Sequence, residues 1–514
     1  MTTGPGSGTT LFVNARVLTM DATCPVAEAF AIRGSRIVEV GTRQAVDVHR
    51  AGATVVDLGG RAVTPGFVDP HNHFAVGALE CFWADCRDTT SIDEIQRRLA
   101  TAAAKTPAGE WVRGLGYDHN LLPGRRHPTR GELDAAVPDR PVLLLHYSHH
   151  QAVANTRALG DAGITRATPD PRGGEIGRDK AGEPTGLLFE RAMSTAEARS
   201  REGAESRFVD VAAAASREFA RHGITTLQDA AVTPAMAARY AAARRAGALA
   251  VQVDEMMVGS AGWFERPDDA APGRTLKLFV DGGYRCAIRL PRDGRTSGFL
   301  FYERDELAAI LVAAWRAGRR VTCHAIGNLG IERAIDAIGD ALLRVPAGRE
   351  LVRIDHAMFL TDDLIARIRD LGLWVVEQPS FLYDVGGVTP APEIRLRPFR
   401  TLRDRGVRQA FSSDFPCGAL APLVGVYAAV TRKTKRGDTV EADEAISVDA
   451  ALEAYTLGAA IAAGLDRDCG SLVPGKRADF LVLSDDPRTI APERLLTVDI
   501  LETWIAGARV PRCP

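Results

Sequence analysis

The sequence predicts an α/β protein: a (β/α)8 TIM barrel with a small β-sandwich built from both termini and an inserted subdomain after the first barrel strand. Three observations support this fold class. Eight apolar runs alternate with helical patterns along the middle of the chain. Short segments that alternate apolar and polar residues stand at both ends, and one connection is far too long for a single βα unit.

The two ends of the chain carry the same strand pattern. Residues 11–64 contain LFVNARVLTM, AFAIRGSRIVEVG and ATVVDLGG, and the C-terminal end contains GSLVPGKRADFLVLSDD and TVDILETWIAGARV. Neither end has enough strands for a sheet that is stable alone. We therefore expect residues 1–64 and 466–514 to pair as one β-sandwich.

The barrel is assigned to residues 65–465. Its eight predicted strands are RAVTPGFVD, GITTLQDA, LAVQVDEMMV, TLKLFVDGG, RVTCHAIG, VRIDHAMF, WVVEQPS and RQAFSSD. Helical patterns separate them, and the last of these is predicted over 449–463. The insertion, about residues 75–205, follows the first strand and contains two further strand-like runs, EWVRGLGYD and RPVLLLHYS.

Composition excludes several classes of function. The 514 residues include 63 Lys and Arg against 65 Asp and Glu, so a broad basic surface for nucleic acid is not expected. No apolar run is long enough for a transmembrane helix. The opening MTTGPGSGTT lacks the features of a secretory signal, and the eight cysteines show no disulfide spacing. We therefore expect a cytoplasmic protein with reduced thiols and no membrane partner.

PGFVDPHNHF is the strongest local motif, because it places His71 and His73 at the end of the first barrel strand. Residues i and i+2 of a strand point to the same face, so the two imidazoles can hold one metal ion. A surface pair without a ligand role is the alternative.

Three more candidate ligands stand at other strand ends. His324 and His356 stand at the ends of strands five and six, and Asp414 ends strand eight. The C-terminal ends of barrel strands converge on one mouth, where active sites form. Because histidine and carboxylate suit zinc and similar divalent ions, we expect a metal site there.

Lys277 lies inside the apolar fourth strand. Only six of the 63 basic residues are lysines, and a buried lysine is costly unless it is paired or modified. One interpretation is an ion pair with Asp281 or Asp414. The other is that an amine of lowered pKa reacts with carbon dioxide, giving a carbamate whose two oxygens can bridge two metal ions.

Taken together, PGFVDPHNH, GITTLQD, the strand-four lysine, His324, His356 and SSD resemble the metal-dependent amidohydrolase superfamily. The resemblance covers essentially the whole chain. Further segments, LDAAVPDRPVLLLH, HHQAVANTRAL, PTGLLFERA and CHAIGNLGIERAIDAI, are similar to amidohydrolase family 3, the branch that contains N-substituted formamide deformylase.

The resemblance implies a binuclear centre, with zinc as the expected metal. One ion would be held by His71, His73 and Asp414, the other by His324 and His356, with carboxylated Lys277 between them. Hydrolysis by metal-activated hydroxide is then expected for an amide-type C–N bond, an N-formyl or N-acyl amide of a small molecule. Asp414 would transfer the proton.

The resemblance also implies roles around this centre. His150 aligns with a family histidine and would bind the oxyanion, while His149 replaces a family glycine. Asn328 and Leu329 replace a common Asp-Arg pair. The predicted substrate-binding residues are Tyr117, Asp118, Phe381 and Tyr383, whereas His119, His127 and His146 are assigned to structural or surface positions.

Rival functions on the same scaffold stay open at this stage. They are a cyclic-amide hydrolase or deaminase, and a biosynthetic enzyme that uses the metal for cyclisation. The HxxE pattern of mononuclear deaminases is missing, because Ala-Ile-Gly-Asn follows His324. The sequence does not define the substrate, the metal or its count, or the oligomeric state, for which a homodimer is one option.

Overall fold

Eight parallel strands form one sheet in the computed structural model, which describes residues 8–260, 264–267 and 273–511. They pair in chain order, and the backbone nitrogen of Asp414 donates to the carbonyl of His71 at 2.9 Å, which brings the two outer strands together. The sheet is therefore a nearly closed barrel. The strands are Phe67–Asn72, Ile224–Val232, Gln252–Met257, Thr275–Phe279, Arg320–Ala325, Val352–His356, Trp374–Glu377 and Arg408–Phe411.

The first predicted strand is divided in the structure. Ala62–Pro65 joins a terminal sheet, and Phe67–Asn72 begins the barrel. Gly66 lies between them, and a Cβ atom there would lie 2.2 Å from the Thr225 hydroxyl oxygen. Only glycine therefore permits this close passage from one sheet to the next.

Helices surround the barrel, as the alternating pattern predicts. The helix Asp362–Asp370 is typical: the Thr361 side chain caps its first turn, acidic residues begin it and arginines end it. The predicted helix over 449–463 is wrong in one respect, because it breaks at Thr456, where φ is −124° and ψ is −92°. The helices are Phe74–Leu79, Phe208–Arg221, Pro234–Arg245, Arg304–Arg316, Asn328–Leu342, Asp362–Asp370, Pro379–Val385, Phe399–Asp404, Pro422–Thr431, Val448–Tyr455 and Leu457–Ala463.

Two short strand pairs lie between barrel elements. Ile288–Arg289 pairs with Thr296–Ser297, and Phe359–Leu360 pairs with Arg395–Leu396. A large cluster of buried apolar residues fills the space between the barrel and its helices.

The segment between the first two barrel strands contains its own six-stranded sheet. Both predicted strand runs are present, as Val112–Tyr117 and Val142–His146, and they lie parallel with Tyr117 opposite His146. The segment's other strands are Ala84–Asp85, Gln151–Ala154, Gly174–Arg178 and Pro184–Glu190. Its helices are Ile92–Lys105, Arg130–Ala136, Thr156–Asp161 and Ser194–Ser206.

Strands from both ends of the chain meet in one six-stranded sheet, beside a four-stranded sheet from the N-terminal region. Phe12 of the smaller sheet packs against Phe480 of the larger, with ring centroids 4.9 Å apart, inside a shared apolar cluster. The strands are Thr9–Val13, Arg16–Leu18, Val26–Ala27, Ala29–Arg33, Arg36–Gly41, Thr54–Asp57, Ala62–Pro65, Phe480–Leu483, Ile500–Ile505 and Ala508–Arg509, with the short helix Arg43–Asp47.

The structure bears on two expectations drawn from the composition, namely the lack of a transmembrane helix and the reduced state of the cysteines. No helix in the described part of the chain has the length and apolar character needed to cross a membrane. The seven described cysteines are all free thiols. Residues 1–7 of the opening MTTGPGSGTT, on which the expectation of no secretory signal rests, lie outside the described residues.

Candidate metal centre

The first strand brings two histidines to the mouth of the barrel. His71 and His73 are both buried, and Oδ1 of Asp414 lies 3.4 Å from Nε2 of His71 and 3.2 Å from Nε2 of His73. Asp414 reaches them from the end of strand eight, where its backbone adopts a φ of 52°. Three donor atoms thus face a common point, which is the arrangement that one metal ion requires.

Lys277 lies beside this group, on the fourth strand. Its Nζ atom is fully buried, 3.4 Å from Nε2 of His71 and 3.2 Å from Oδ2 of Asp355. The anticipated ion pair with Asp281 or Asp414 is therefore wrong, because the partner is Asp355. Burial lowers the pKa of Lys277, and Asp355 and Asp414 only partly oppose this effect.

His324 and His356 complete the set from strands five and six. Their ring centroids are 4.3 Å apart, and Nδ1 of His356 is fixed 2.7 Å from Oε1 of Gln378. Burial lowers the pKa of both imidazoles, that of His356 to about 3.

The Nε2 atoms of His324 and His356 indicate whether these residues suit a metal ion. Both are buried and have no hydrogen-bond partner among the described residues, and Nε2 of His324 is 3.9 Å from the nearest Asp281 oxygen. A buried imidazole nitrogen without a partner is costly unless it binds something. Neutral imidazole nitrogens of this kind are what a divalent metal ion needs, so the donor set suits the expected metal.

Asp355 is not a predicted metal ligand, but it contacts two residues of the candidate centre, His71 and Lys277. The sequence patterns did not predict this role. Its Oδ2 atom lies 2.8 Å from Nδ1 of His71 and 3.0 Å from the Thr322 hydroxyl, while Oδ1 accepts from Arg353 at 2.8 Å. Burial would raise the pKa of Asp355, but Arg353, Lys277 and His71 hold it well below its usual value. Its place directly before His356 in VRIDHAMF was the only indication available.

His150 reaches the same mouth from the insertion. Its ring centroid is 5.3 Å from that of His324, and its Nδ1 lies 2.6 Å from Oε2 of the buried Glu190. Burial would lower the pKa of His150, but the Glu190 carboxylate raises it. The ring also requires glycine at position 283, where a Cβ atom would lie 2.1 Å from His150.

The structure shows the local conformation and contacts at two departures from the family pattern. His149, in the place of a family glycine, has a φ of 57°, the left-handed conformation that glycine adopts most easily. Asn328 uses its side-chain amide to pair with the backbone of Arg289, accepting at 2.8 Å and donating at 2.7 Å. Neither residue is within the predicted metal-ligand set.

The four predicted substrate residues fall into two pairs. Tyr117 is fully buried in the insertion, with its hydroxyl 2.8 Å from Nδ1 of His127, which supports a packing role. Asp118 follows it and caps a short helix at Asn120. Phe381 and Tyr383 are half-buried on the helix after strand seven, at the end of the barrel that carries the histidines.

The insertion also contains a second group that the sequence did not reveal. Asp118, His119 and His146 bring their ligand atoms within 4.8 Å of one another. His146 is fully buried, so a surface role for it is wrong. The pairing of the two parallel strands causes this convergence, because Tyr117 lies opposite His146.

A barrel that brings buried histidines, a carboxylate and a lysine together at its mouth defines a metal-dependent hydrolase. The chain belongs to the amidohydrolase family, whose model matches residues 54–511. N-substituted formamide deformylase from Arthrobacter pascens is 33% identical over 97% of each chain. A solved metal-dependent hydrolase from Pyrococcus horikoshii covers 95% of this chain and 99% of its own, with 25% identity and a TM-score of 0.73. A second solved metal-dependent hydrolase, from Pyrococcus furiosus, is also 25% identical. It covers 94% of this chain and 100% of its own, with a TM-score of 0.69.

Proposed function

We propose that the chain hydrolyses an amide-type C–N bond, in an N-formyl or N-acyl amide of a small molecule, with two Zn²⁺ ions and carboxylated Lys277 between them. The observation that carries the proposal is the convergence of His71, His73, Asp414, Lys277, His324 and His356 at one barrel mouth. The similarity to N-substituted formamide deformylase supports the choice of bond.

The donor atoms divide between two positions. His71, His73 and Asp414 would hold one ion, and His324 and His356 the other. Lys277 would join them after its neutral amine attacks carbon dioxide, forming an N–C bond and releasing one proton. When bound, such a pair of ions lowers the pKa of a water molecule and polarises the substrate carbonyl.

Asp414 would act as general base and then general acid. Burial would raise the pKa of Asp414, but His71, His356 and His73 lower it overall, so the carboxylate is ionised and can accept a proton. It would then pass that proton to the leaving nitrogen, which completes the cleavage without a second acid.

His150 would donate a hydrogen bond to the substrate carbonyl oxygen. Glu190 fixes one ring nitrogen and raises the pKa of the imidazole, which favours the imidazolium form, in which the other nitrogen also carries a proton. A donor fixed in advance stabilises the developing negative charge more effectively than one that must reorient. Glu190 is thus a positioning residue.

A substrate screen with metal reconstitution tests this proposal. N-formyl, N-acyl and cyclic amides are incubated with protein that has been stripped by a chelator and reloaded with Zn²⁺. We expect hydrolysis of open-chain amides by the reloaded protein and by His222→Asn, a control at a surface histidine, but not by His73→Asn. If the fully loaded protein hydrolyses no amide, the proposal is wrong.

The proposal includes a cytoplasmic location. Seven free cysteines, three of them buried, are compatible with a reducing compartment. The proposed partners are the small-molecule substrate and, as one option, a second copy of the chain in a homodimer.

A further inference from the structure

Three potential metal ligands lie together at the carboxyl ends of two neighbouring internal strands of the inserted sheet. Nδ1 of His119 is 3.2 Å from Nε2 of His146. Oδ1 of Asp118 lies 3.8 Å from Nδ1 of His119 and 3.9 Å from Nε2 of His146. Asp118 and His119 follow strand Val112–Tyr117, and His146 ends the parallel strand Val142–His146.

The three separations match a tetrahedral metal site. Zinc bonds to nitrogen and oxygen of about 2.0–2.2 Å place neighbouring tetrahedral ligands about 3.3–3.6 Å apart. The observed separations of 3.2, 3.8 and 3.9 Å bracket that range. An ion could therefore contact all three atoms after small side-chain shifts, with a fourth position left for another ligand.

The outer nitrogen of each imidazole is already held by a hydroxyl group. Nδ1 of His146 lies 2.9 Å from the Ser148 Oγ, and Nε2 of His119 lies 3.3 Å from the Tyr284 hydroxyl. Metal-binding histidines typically have such a partner, which fixes the ring and leaves the inner nitrogen for the ion. Asn120 likewise fixes the Asp118 carboxylate, donating to Oδ1 from its backbone at 2.9 Å and its side chain at 3.0 Å.

Protonation and access also suit a metal ion. Burial lowers the pKa of His119 and of His146, which favours the neutral form in which an imidazole can act as a ligand. Exposure rises from 0% at the His146 side chain through 12% at His119 to 26% at Asp118, so the group has one open side. His127 stacks on His119, with centroids 4.2 Å apart, but binds the Tyr117 hydroxyl instead.

We propose that Asp118, His119 and His146 bind a divalent transition-metal ion of the Zn²⁺ class, distinct from the ions at the barrel mouth. The ion stabilises the segment that presents His150. Ser148 links the two, because its hydroxyl contacts His146 and accepts from the His150 backbone nitrogen at 3.3 Å. This site does not depend on the proposed hydrolysis.

Co²⁺ binding to a protein with a disabled barrel centre tests the proposal. In protein that carries His71→Asn, His73→Asn, His324→Asn and His356→Asn, and so lacks histidine ligands at both barrel positions, we expect a remaining Co²⁺ ion with the visible absorption of tetrahedral coordination. Adding His119→Asn or Asp118→Asn should remove that ion and its absorption. Adding His127→Asn, a neighbouring histidine outside the ligand set, should leave both unchanged.

The same variants in the intact protein provide a second readout. After loading with Zn²⁺ and removal of excess metal, His119→Asn and Asp118→Asn should each contain one ion fewer than the wild type or His127→Asn. Circular dichroism establishes that each variant is folded, and Asp118→Asn preserves the cap at Asn120. Equal metal content in folded Asp118→Asn, His119→Asn and wild-type protein would overturn the proposal, whatever the barrel centre contains.

Discussion

The carboxylate of Asp355 lies 2.8 Å from Nδ1 of His71, although the two residues are 284 positions apart. The same oxygen lies 3.2 Å from Nζ of Lys277. One buried carboxylate therefore orients a predicted ligand and the predicted carbamate at the same time. Arg353 and Thr322 fix that carboxylate in turn.

Asp355→Asn should weaken metal binding. The amide keeps the shape of the side chain but removes the charge that holds His71 and Lys277, and loss of such an outer partner typically costs about 10–100-fold in affinity. Competition with a chromophoric chelator measures the change. Asp404→Asn, at an exposed aspartate, is the control, and an unchanged affinity in Asp355→Asn would contradict the assigned role.

Asp414→Asn should retain bound metal and lose turnover. Its amide oxygen can still coordinate, but it cannot accept the proton, and loss of a general base typically lowers kcat by about 10²–10⁴-fold. Metal analysis and steady-state kinetics on one preparation measure both properties. A fully active, metal-loaded variant would remove Asp414 from the proton transfer.

Glu190→Gln should lower kcat and shift its pH profile. Without the carboxylate the pKa of His150 falls, so the ring loses its proton earlier and the alkaline limb moves to lower pH. We expect kcat to fall by about 10–100-fold. Glu190→Asp should recover part of the loss, and Glu175→Gln, at a half-exposed glutamate, is the control. A lower kcat with an unmoved alkaline limb would indicate a structural role only.

Glu377 makes stability depend on pH. It is buried at the end of strand seven, where Gln409 donates to Oε2 at 3.0 Å and Oε1 has no hydrogen-bond partner. Burial raises the pKa of Glu377 from 4.5 to about 8, although Gln409 opposes the shift. The folded protein thus binds a proton that the unfolded chain releases, and this stabilisation is lost as pH rises through about 8.

Glu377→Gln should remove the loss of folding stability that the wild type shows as the pH rises. Its Tm should rise relative to that of the wild type as the pH increases from about 5 to about 9. Asp404→Asn should show no such trend. A Tm difference that stays constant across this range would mean that Glu377 is not protonated in the folded protein.

The barrel and most of its candidate ligands could be predicted because local patterns encode them. His71 and His73 stand two residues apart at the end of an apolar run, and Lys277 is a rare lysine in another such run. Each of the eight predicted runs contains part of a barrel strand, although the first run is divided at Gly66, because apolar runs bounded by turns recur with a regular alternation. Each of these patterns lies within ten residues or so of the chain.

The supporting contacts could not be predicted because they join distant segments. Asp355 and Glu190 act through His71 and His150, and only the folded chain brings these pairs together. The Asp118, His119 and His146 group depends on the register of two inserted strands, which no sequence pattern specified. The break at Thr456 likewise follows tertiary packing rather than local helix preference.

Metal content of the wild type and of Lys277→Ala, measured side by side after identical loading, tests the binuclear centre most directly. We expect the wild type to retain about two ions per chain more than the variant, because a carbamate would bridge both positions. A short carboxylic acid should restore part of the metal and the activity by supplying the missing oxygens. Equal metal content and full activity in Lys277→Ala would contradict a bridging role for this lysine.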